Sequence, residues 1–290
     1  MKRTVLAPAK LNLFLDITGQ RSDGYHLVNM VMQAVSLYDE VTVSVEEDME
    51  GIRIECSDSD IPCDESNTAY KAVKAFFDAI QQPVSGVWIR IKKRIPSQAG
   101  LAGGSTDAAA VLYALNDMLS AEMTMAELAD IAEKIGADVP FCLYGGTMTA
   151  EGIGTILSPL PDMPESYIVI VKPEVKVSTA EAYRLSDAAG YARLRNPDKV
   201  ISGICNGSLE DIARGLYNKF EAIVPVPAIQ DIKARLRTEG ALNACMTGSG
   251  SAVFGLFDDR HTAELCAAHL EEQYEQVFVV SPLTEGVSFH

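Results

Sequence analysis

The sequence has little that would suit a metal-binding, disulfide-stabilised or nucleic-acid-binding protein. Its six cysteines are scattered without a C-x-x-C pair, and its four histidines show no ligand spacing with them. A zinc site or a disulfide framework is therefore not expected, and reduced thiols in a cytoplasmic protein are the default. Lysine and arginine number 24 against 40 aspartates and glutamates, a net charge of −16. This balance argues against nucleic acid as a partner, because phosphate backbones are bound by basic faces.

Long apolar runs are absent as well. No stretch approaches the roughly 18 to 20 residues that span a bilayer, so we expect no membrane partner. The apolar stretch after Arg3 is far shorter than the core of a signal peptide, and Lys10 interrupts it. Hydrophobic residues make up 48% of the 290 residues, which is ordinary for a folded protein of one large domain or two.

Residue periodicity predicts the elements of the first half of the chain. Alternating apolar and polar residues predict strands, and apolar residues three and four apart predict helices. Extended segments are predicted at 5–17, 41–45 and 87–95, and helices at 67–80, at 125–135 and directly after residue 107.

The second half of the chain shows a different order of predicted strands and helices. Strands are predicted at 167–171, around 244, at 252–257 and at 277–280, and helices from 179, at 226–237 and at 262–274. Strand, helix, strand, strand, helix, strand is the ferredoxin-like order. Prolines 159, 161 and 164 mark a boundary. We therefore predict an α+β protein with one domain at 1–160 and a second at 161–290.

A glycine-rich segment joins the strand at 87–95 to the following helix. It reads Pro96-Ser97-Gln98-Ala99-Gly100-Leu101-Ala102-Gly103-Gly104-Ser105-Thr106-Asp107. Glycines let a backbone approach a ligand closely, and the free N–H groups at a helix N-terminus suit phosphate oxygens. Ser105 and Thr106 are expected to cap the helix. Backbone amides could thus bind an anion in an acidic chain; the alternative is a turn that uses its glycines only for packing.

Several common phosphate-binding and nucleophile motifs are excluded. No lysine follows Gly103 or Gly104, so the Walker pattern is absent. The segments starting at Gly152 and Gly248 begin G-x-G-x-x-G but lack its third glycine, which excludes the Rossmann and protein-kinase patterns. Ser249 does not lie in a G-x-S-x-G nucleophile elbow.

Four motifs in order resemble one known family over nearly the whole chain. Segment 96–107 resembles the phosphate loop of the GHMP kinases (galactokinase, homoserine, mevalonate and phosphomevalonate kinases), and segment 248–254 resembles that family's third glycine-rich motif. Ala7-Pro8-Ala9-Lys10-Leu11-Asn12-Leu13 with Arg21-Ser22-Asp23-Gly24-Tyr25-His26, and Gly136-Ala137-Asp138-Val139-Pro140-Phe141, are similar to one branch of the family. That branch acts on a cytidine diphosphate-linked methylerythritol. Ala102 is a departure, because the branch often has a glycine there.

The resemblance implies a two-domain α+β GHMP kinase fold, with an N-terminal ribosomal-protein-S5-domain-2-like domain and a C-terminal ferredoxin-like domain. It also implies transfer of a phosphoryl group from ATP to the 2-hydroxyl of the methylerythritol moiety. Mg²⁺ is expected to be held mainly through the phosphates, and no residue is assigned as a metal ligand. The expected partner is this small molecule, with no nucleic acid or membrane, and the chain is expected to be a monomer or a weak homodimer.

The resemblance also implies the site residues. Phosphoryl transfer needs a carboxylate near the attacking hydroxyl and a cation near the transferred group, roles that fall to Asp138 and Lys10. From the residues alone, Asp138 could be an ordinary helix-terminal aspartate and Lys10 a strand-edge lysine. The expected ATP contacts are Pro96, Ser97, Gln98, Ala99, Gly100, Leu101, Ala102, Gly103, Gly104, Ser105 and Thr106, with Asn67 and Lys93.

Acceptor recognition is expected at Tyr25, His26 and Tyr183 for the base, at Asn12 for the erythritol part, and at Thr179. Aromatic rings stack on a base, and an imidazole can hydrogen-bond its edge. The alternative is two half-buried tyrosines and a satisfied core histidine. Two other functions stay open: another GHMP kinase, such as one for homoserine, or a non-catalytic relative that binds a metabolite and regulates.

Overall fold

The computed structural model describes residues 1–175, 177–190, 194–224 and 226–290. Up to residue 160 it contains strands β1 (Lys2–Gln20), β2 (His26–Glu50), β3 (Ile52–Cys56), β4 (Ser85–Lys92), β5 (Thr147–Glu151) and β6 (Ile156–Pro159), and helices α1 (Thr68–Ala79), α2 (Gly103–Met118), α3 (Met125–Glu133) and α4 (Val139–Tyr144).

The remaining elements are again a mixture of strands and helices. They are β7 (Tyr167–Lys172), α5 (Thr179–Ala189), α6 (Asp198–Cys205), α7 (Leu209–Gly215), β8 (Tyr217–Asn218), a 3₁₀ helix (Lys219–Ala222), α8 (Pro227–Thr238), β9 (Asn243–Met246), β10 (Val253–Phe257), α9 (Arg260–Glu271), β11 (Gln276–Val280) and β12 (Ser288–Phe289). Within the described ranges, no helix is both long and apolar enough to cross a membrane.

The first sheet is built on β1 and β2, which form a long antiparallel pair. Its main order is β12-β1-β2-β4-β3, while β5 pairs with β2 and with β6, and β8 pairs with β1. Helices α1 and α2 cover it with Val73, Phe76, Val111 and Leu115, which are fully buried. The sequence predicted β2 only at 41–45 because residues 28–35 are mostly buried, so no alternation marks them.

Strand β1 contributes side chains to two apolar clusters. Its register against β2 shifts between Pro8 and Ala9, where β2 has two extra residues, and between Asn12 and Phe14, where Leu13 is an extra residue on β1. The odd-numbered residues before and after these shifts join one apolar cluster, whereas Ala9, Leu11 and Leu13 join the other. Such irregularities bend a strand and re-aim the side chains beside them. Lys10 and Asn12 lie in the stretch between the two shifts.

The second sheet is antiparallel, in the order β11-β7-β10-β9. With α8 packed on β9 and β10 and α9 on β11 and β7, this is the predicted ferredoxin-like arrangement. Two later strands return to the first sheet: β8 pairs with Phe14 and Leu15, and β12 pairs with Val5 and Leu6. Both lie on the edge of β1 opposite β2, because β2 pairs with the same four β1 residues on its other edge.

We expect Gly86→Ala to destabilise the fold. A Cβ atom there would lie 2.1 Å from the carbonyl oxygen of Met49 and 2.5 Å from that of Glu46, so the β2–β4 pairing must shift. Overpacking of this kind costs about 1–3 kcal/mol. The free energy of unfolding, measured by urea denaturation, should fall by that amount. Gly19→Ala is the matched strand control, since its Cβ meets only Leu27 Cδ1 at 3.8 Å; equal stability of the two variants would contradict this packing.

Candidate active site

A cleft of about 470 Å³ lies between the two halves of the chain. The predicted residues that line it are Lys10, Asn12, Lys93, Pro96, Ser97, Gln98, Ala99, Gly100, Leu101, Ala102, Gly103, Gly104, Ser105, Asp138, Thr179 and Tyr183. Leu15, Val28, Met30 and Phe220 supply apolar wall. A concave site of this size, with few polar groups on an apolar lining, is typical of small-molecule binding.

Helix α2 begins at Gly103, so the prediction that Ser105 and Thr106 cap it is wrong. The N-cap residue is Ala102, which has a left-handed φ of 59°, and no side chain caps the helix. Ser105 and Thr106 instead lie in the first turn, because the N-cap is three residues before Ser105. The N–H groups of a first turn have no acceptor within the helix, and they carry the positive end of its dipole. This end of α2 is therefore suited to bind phosphate oxygens.

The phosphate loop packs directly on the third glycine-rich motif. A Cβ atom at Gly100 would lie 2.2 Å from the carbonyl oxygen of Thr247, and one at Gly248 would lie 2.8 Å from the Gly100 Cα. The N–H of Ala252 donates to the carbonyl of Ala99 at 3.1 Å. Gly100 and Gly248 both have a positive φ. Only glycine permits such close backbone contact at these two positions.

The side chains of Lys10, Asn12 and Asp138 meet at the bottom of the cleft. Lys10 Nζ donates to Asn12 Oδ1 at 2.7 Å and lies 3.5 Å from Asp138 Oδ2. Asn12 Oδ1 also accepts the N–H of Gly248 at 3.1 Å, and its amide nitrogen lies 3.3 Å from Met30 Sδ. The Lys10 side chain is 5% exposed and that of Asp138 31%. A buried cation thus faces a carboxylate that solvent and ligand can reach.

A buried group of three charges lies behind the loop: Asp39, Lys93 and Asp107. Lys93 Nζ bonds to Asp39 Oδ2 and, at 2.7 Å, to Asp107 Oδ2. Burial lowers the pKa of Lys93, but the two carboxylates outweigh it and raise the pKa overall. The ammonium is only 3.1 Å from where a Cβ at Gly103 would be. Lys93 therefore lines the cleft, but its ammonium group donates hydrogen bonds to the two aspartates.

Tyr183 and Phe220 are the aromatic residues of the cleft lining, and His26 packs on Tyr183. The rings of His26 and Tyr183 stack, with centroids 4.3 Å apart and planes 23° apart, and Phe220 meets Tyr183 edge-on at 5.1 Å. His26 Nε2 is 2.7 Å from Asp187 Oδ1. Burial, with a smaller effect from the Asp138 charge, raises the pKa of Tyr183 to about 12, so its hydroxyl is neutral. Tyr183 thus brings an aromatic ring to the cleft, which suits a ligand with a flat group.

The remaining predicted residues lie in different places. The Thr179 and Ser249 hydroxyls are 2.9 Å apart at the cleft. Asn67 caps α1, accepting from Ala69 N–H and donating to the Pro62 carbonyl. Thr106 is fully buried, and Tyr25 is 61% exposed. Asn67, Thr106, Tyr25 and His26 are not among the residues that line the 470 Å³ cleft, and their roles toward ligands stay predictions.

Sequence analysis missed several residues that hold the site together. Thr247 Oγ1 accepts the N–H of Asn12 at 3.0 Å and donates to the Gly100 carbonyl at 3.3 Å. Asn218 donates to the carbonyls of Met246 and Gly248 at 2.7 and 2.8 Å. Thr247 directly precedes one recognised motif and Asp107 is the last residue of another, which was a usable signal. Asn218 and Asp39 have no such neighbour in the sequence.

The donor set of the cleft does not form a metal cage. Across the described residues, no group of three or more His, Cys, Asp or Glu side chains could hold a metal ion. The carboxylates of the cleft lining are Asp60 and Asp138. Such a sparse set fits Mg²⁺ that is held mainly by phosphate oxygens and water.

Two family models match the chain. "GHMP kinases N terminal domain" matches residues 67–146, and "GHMP kinases C terminal" matches residues 200–276. The chain is 42% identical over 277 residues to a 4-diphosphocytidyl-2-C-methyl-D-erythritol kinase of Clostridium botulinum, covering 95% of this chain and 98% of that protein.

Solved structures share the whole fold. A crystal structure of 4-(cytidine 5'-diphospho)-2C-methyl-D-erythritol kinase has a TM-score of 0.81 and 32% identity, covering 97% of this chain and 99% of the other. Homoserine kinase from Cytophaga hutchinsonii has a TM-score of 0.80 at 22% identity, covering 100% and 97%. The second likeness concerns the fold alone. The two-domain α+β fold predicted from the sequence is confirmed.

We expect Thr247→Val to impair the site while Thr247→Ser preserves it. Valine keeps the shape but leaves the buried N–H of Asn12 without its acceptor, a cost of about 1–3 kcal/mol. Because that N–H belongs to the strand that carries Lys10, kcat/KM for phosphoryl transfer should fall roughly tenfold or more. Steady-state kinetics of both variants test this. Equal activity of Thr247→Val and Thr247→Ser would show that the site does not need the hydroxyl.

Proposed function

The chain belongs to the GHMP kinase family and is an ATP-dependent small-molecule kinase, and we propose that it phosphorylates the 2-hydroxyl of 4-diphosphocytidyl-2-C-methyl-D-erythritol. The products would be the 2-phosphate and ADP, a step of non-mevalonate isoprenoid biosynthesis in the cytoplasm. The observation that carries this proposal is one cleft in which Lys10 and Asp138 lie between a phosphate loop and the aromatic wall of Tyr183.

The phosphate loop holds ATP in this proposal. The uncapped first turn of α2 offers backbone N–H groups to the phosphates, and the contact of Gly100 with Thr247 keeps that turn in place. Lys93 lies behind Gly103, where its ammonium offsets part of the negative charge of Asp39 and Asp107. Mg²⁺, carried on the phosphate oxygens, would neutralise charge that develops on the transferred group.

Asp138 and Lys10 act on the transfer itself. The acceptor hydroxyl oxygen attacks the γ-phosphorus of ATP, the bond from that phosphorus to the bridging oxygen breaks, and ADP leaves. Asp138, being accessible, orients the hydroxyl and takes its proton. Lys10, fixed by Asn12, holds its charge beside the carboxylate and the phosphoryl oxygens. Little else is needed, because positioning and charge stabilisation dominate this chemistry.

The acceptor would lie on the side of the cleft opposite the loop. Tyr183 would offer the cytosine a ring on which to stack, and His26 an imidazole edge. Tyr25, which precedes His26 in the sequence, would cover the cytosine. Asn12 and Thr179 would contact the erythritol part. We propose that this small molecule is the partner of a monomer or a weak homodimer.

Homoserine kinase is the nearest rival, since its fold is shared at a TM-score of 0.80. Homoserine has no flat ring, so the stacked His26 and Tyr183 would have nothing to bind. A non-catalytic metabolite-binding relative is the other rival. The buried Lys10 beside an accessible Asp138 disfavours it, because binding alone does not need that charge pair.

The acceptor assay tests the proposal directly. Purified protein with MgATP should release ADP when 4-diphosphocytidyl-2-C-methyl-D-erythritol is present, and not with homoserine, in a coupled assay. Turnover with homoserine alone would keep the fold and the cleft but refute the assignment of the aromatic wall. If folded protein turns over neither compound, a non-catalytic protein that binds a metabolite is favoured instead.

Asp138→Asn should lower kcat by about 10²-fold or more, because the amide cannot accept the hydroxyl proton. The KM for ATP should change little, since the loop is untouched. Asp130→Asn, at an exposed position of α3, is the matched control. Initial rates of ADP release measure both, and normal turnover of Asp138→Asn would remove Asp138 from the mechanism.

A further inference from the structure

The two aspartates that share Lys93 differ in the number of hydrogen bonds that their carboxyl groups accept. Asp39 Oδ1 accepts the N–H groups of Arg94 and Ile95 at 2.6 and 2.9 Å, while its Oδ2 faces Lys93. Asp107 Oδ2 faces Lys93, but Asp107 Oδ1 is buried with no hydrogen-bond partner in the described part of the chain. Hydrogen bonds to a carboxylate favour its anion. Three donors thus surround the Asp39 carboxyl group, whereas only Lys93 donates to that of Asp107 in the described part of the chain.

The charges of this group do not balance. One ammonium faces two carboxyl groups whose side chains are 0% and 3% exposed, so full ionisation leaves a net negative charge in the interior. Burial, with a further contribution from Asp39, raises the pKa of Asp107 to about 7, although Lys93 opposes this. The other titratable groups that face it are the thiols of Cys56 and Cys142, whose pKa values burial also raises. These thiols stay neutral.

Asp107 also lies close to where an anion would bind. It is one helical turn after Gly103, about 6 Å along the axis of α2. Phosphates at the first turn of that helix bring further negative charge toward the carboxyl group. Like charges disfavour the ionised form of a carboxyl group, and protonation of Asp107 would leave a balanced Asp39–Lys93 pair behind the loop.

We propose that Asp107 is a positioning residue for the ATP phosphates and that its carboxyl group takes up a proton from solvent when ATP binds. This rests on ATP binding at the phosphate loop, as proposed above. Because the complex then holds more protons than the free protein, ATP affinity rises as pH falls through 7. A rise of about one unit in the pKa of Asp107 corresponds to at most tenfold tighter binding.

Calorimetry on the full chain tests the proposal. ATP binding is measured at pH 7 in buffers of different ionisation heat, which counts protons taken up, and the dissociation constant is measured from pH 6 to pH 8. The variants are Asp107→Asn and the control Asp117→Asn, an exposed residue of α2 paired with Arg3 at 2.6 Å. ATP changes its own protonation in this range, but identically for every variant, so the differences isolate Asp107.

Wild type and Asp117→Asn should take up more protons than Asp107→Asn, by up to about half a proton for a group half-ionised at pH 7. Between pH 8 and pH 6, the ATP affinity of these two proteins should rise about threefold to tenfold more than that of Asp107→Asn. Identical proton uptake and pH profiles in all three proteins would overturn the proposal while leaving the kinase assignment intact. Failure of wild type to bind ATP would overturn both.

Infrared spectroscopy keeps the test independent of variant folding. The difference spectrum of wild type with and without ATP should gain the carbonyl stretch of a protonated carboxylic acid. If Asp107→Asn does not fold, Asp107→Ser, which has a smaller side chain, takes its place in the test. Its difference spectrum should lack that gain. No such band in wild type would overturn the proposal.

Discussion

The site depends on one backbone contact, between Gly100 of the phosphate loop and the turn at Thr247 and Gly248. Neither position has room for a Cβ atom, so the loop from the first half of the chain and the turn from the second half interlock. The hydroxyl of Thr247 ties the same junction to Asn12 on β1. The amides at the start of α2 and the Lys10 side chain are thereby fixed relative to each other.

Strand β1 provides the second constraint. Between the first two of its three register shifts against β2, Leu11 and Leu13 pack in a different core from Leu15 and Ile17. The same interval carries Lys10 and Asn12, which line the cleft. Burying a lysine is costly unless it is paired, and here Asn12 and Asp138 pair it.

The net charge of −16 opposes the binding of an anion such as ATP. The site meets this locally, with the uncapped amides at α2 and with the buried Lys10 beside the Asp138 carboxylate. Lys93 adds little net positive charge, because two buried carboxyl groups face its one ammonium. The arrangement favours an anion at one point of an otherwise acidic molecule.

By itself the sequence determined the main strands and helices, the ferredoxin-like order of the second half and the glycine-rich loop, because periodicity and motif spacing are properties of neighbouring residues; the candidate pair Lys10 and Asp138 rested on the resemblance to the GHMP kinases. It did not reveal the full length of β2 or the true start of α2, since both depend on burial and loop geometry. Only the tertiary structure decided that Lys93 is shared by Asp39 and Asp107, and that Thr247 joins Asn12. Those contacts link residues up to 235 positions apart, and packing rather than local preference brings such residues together.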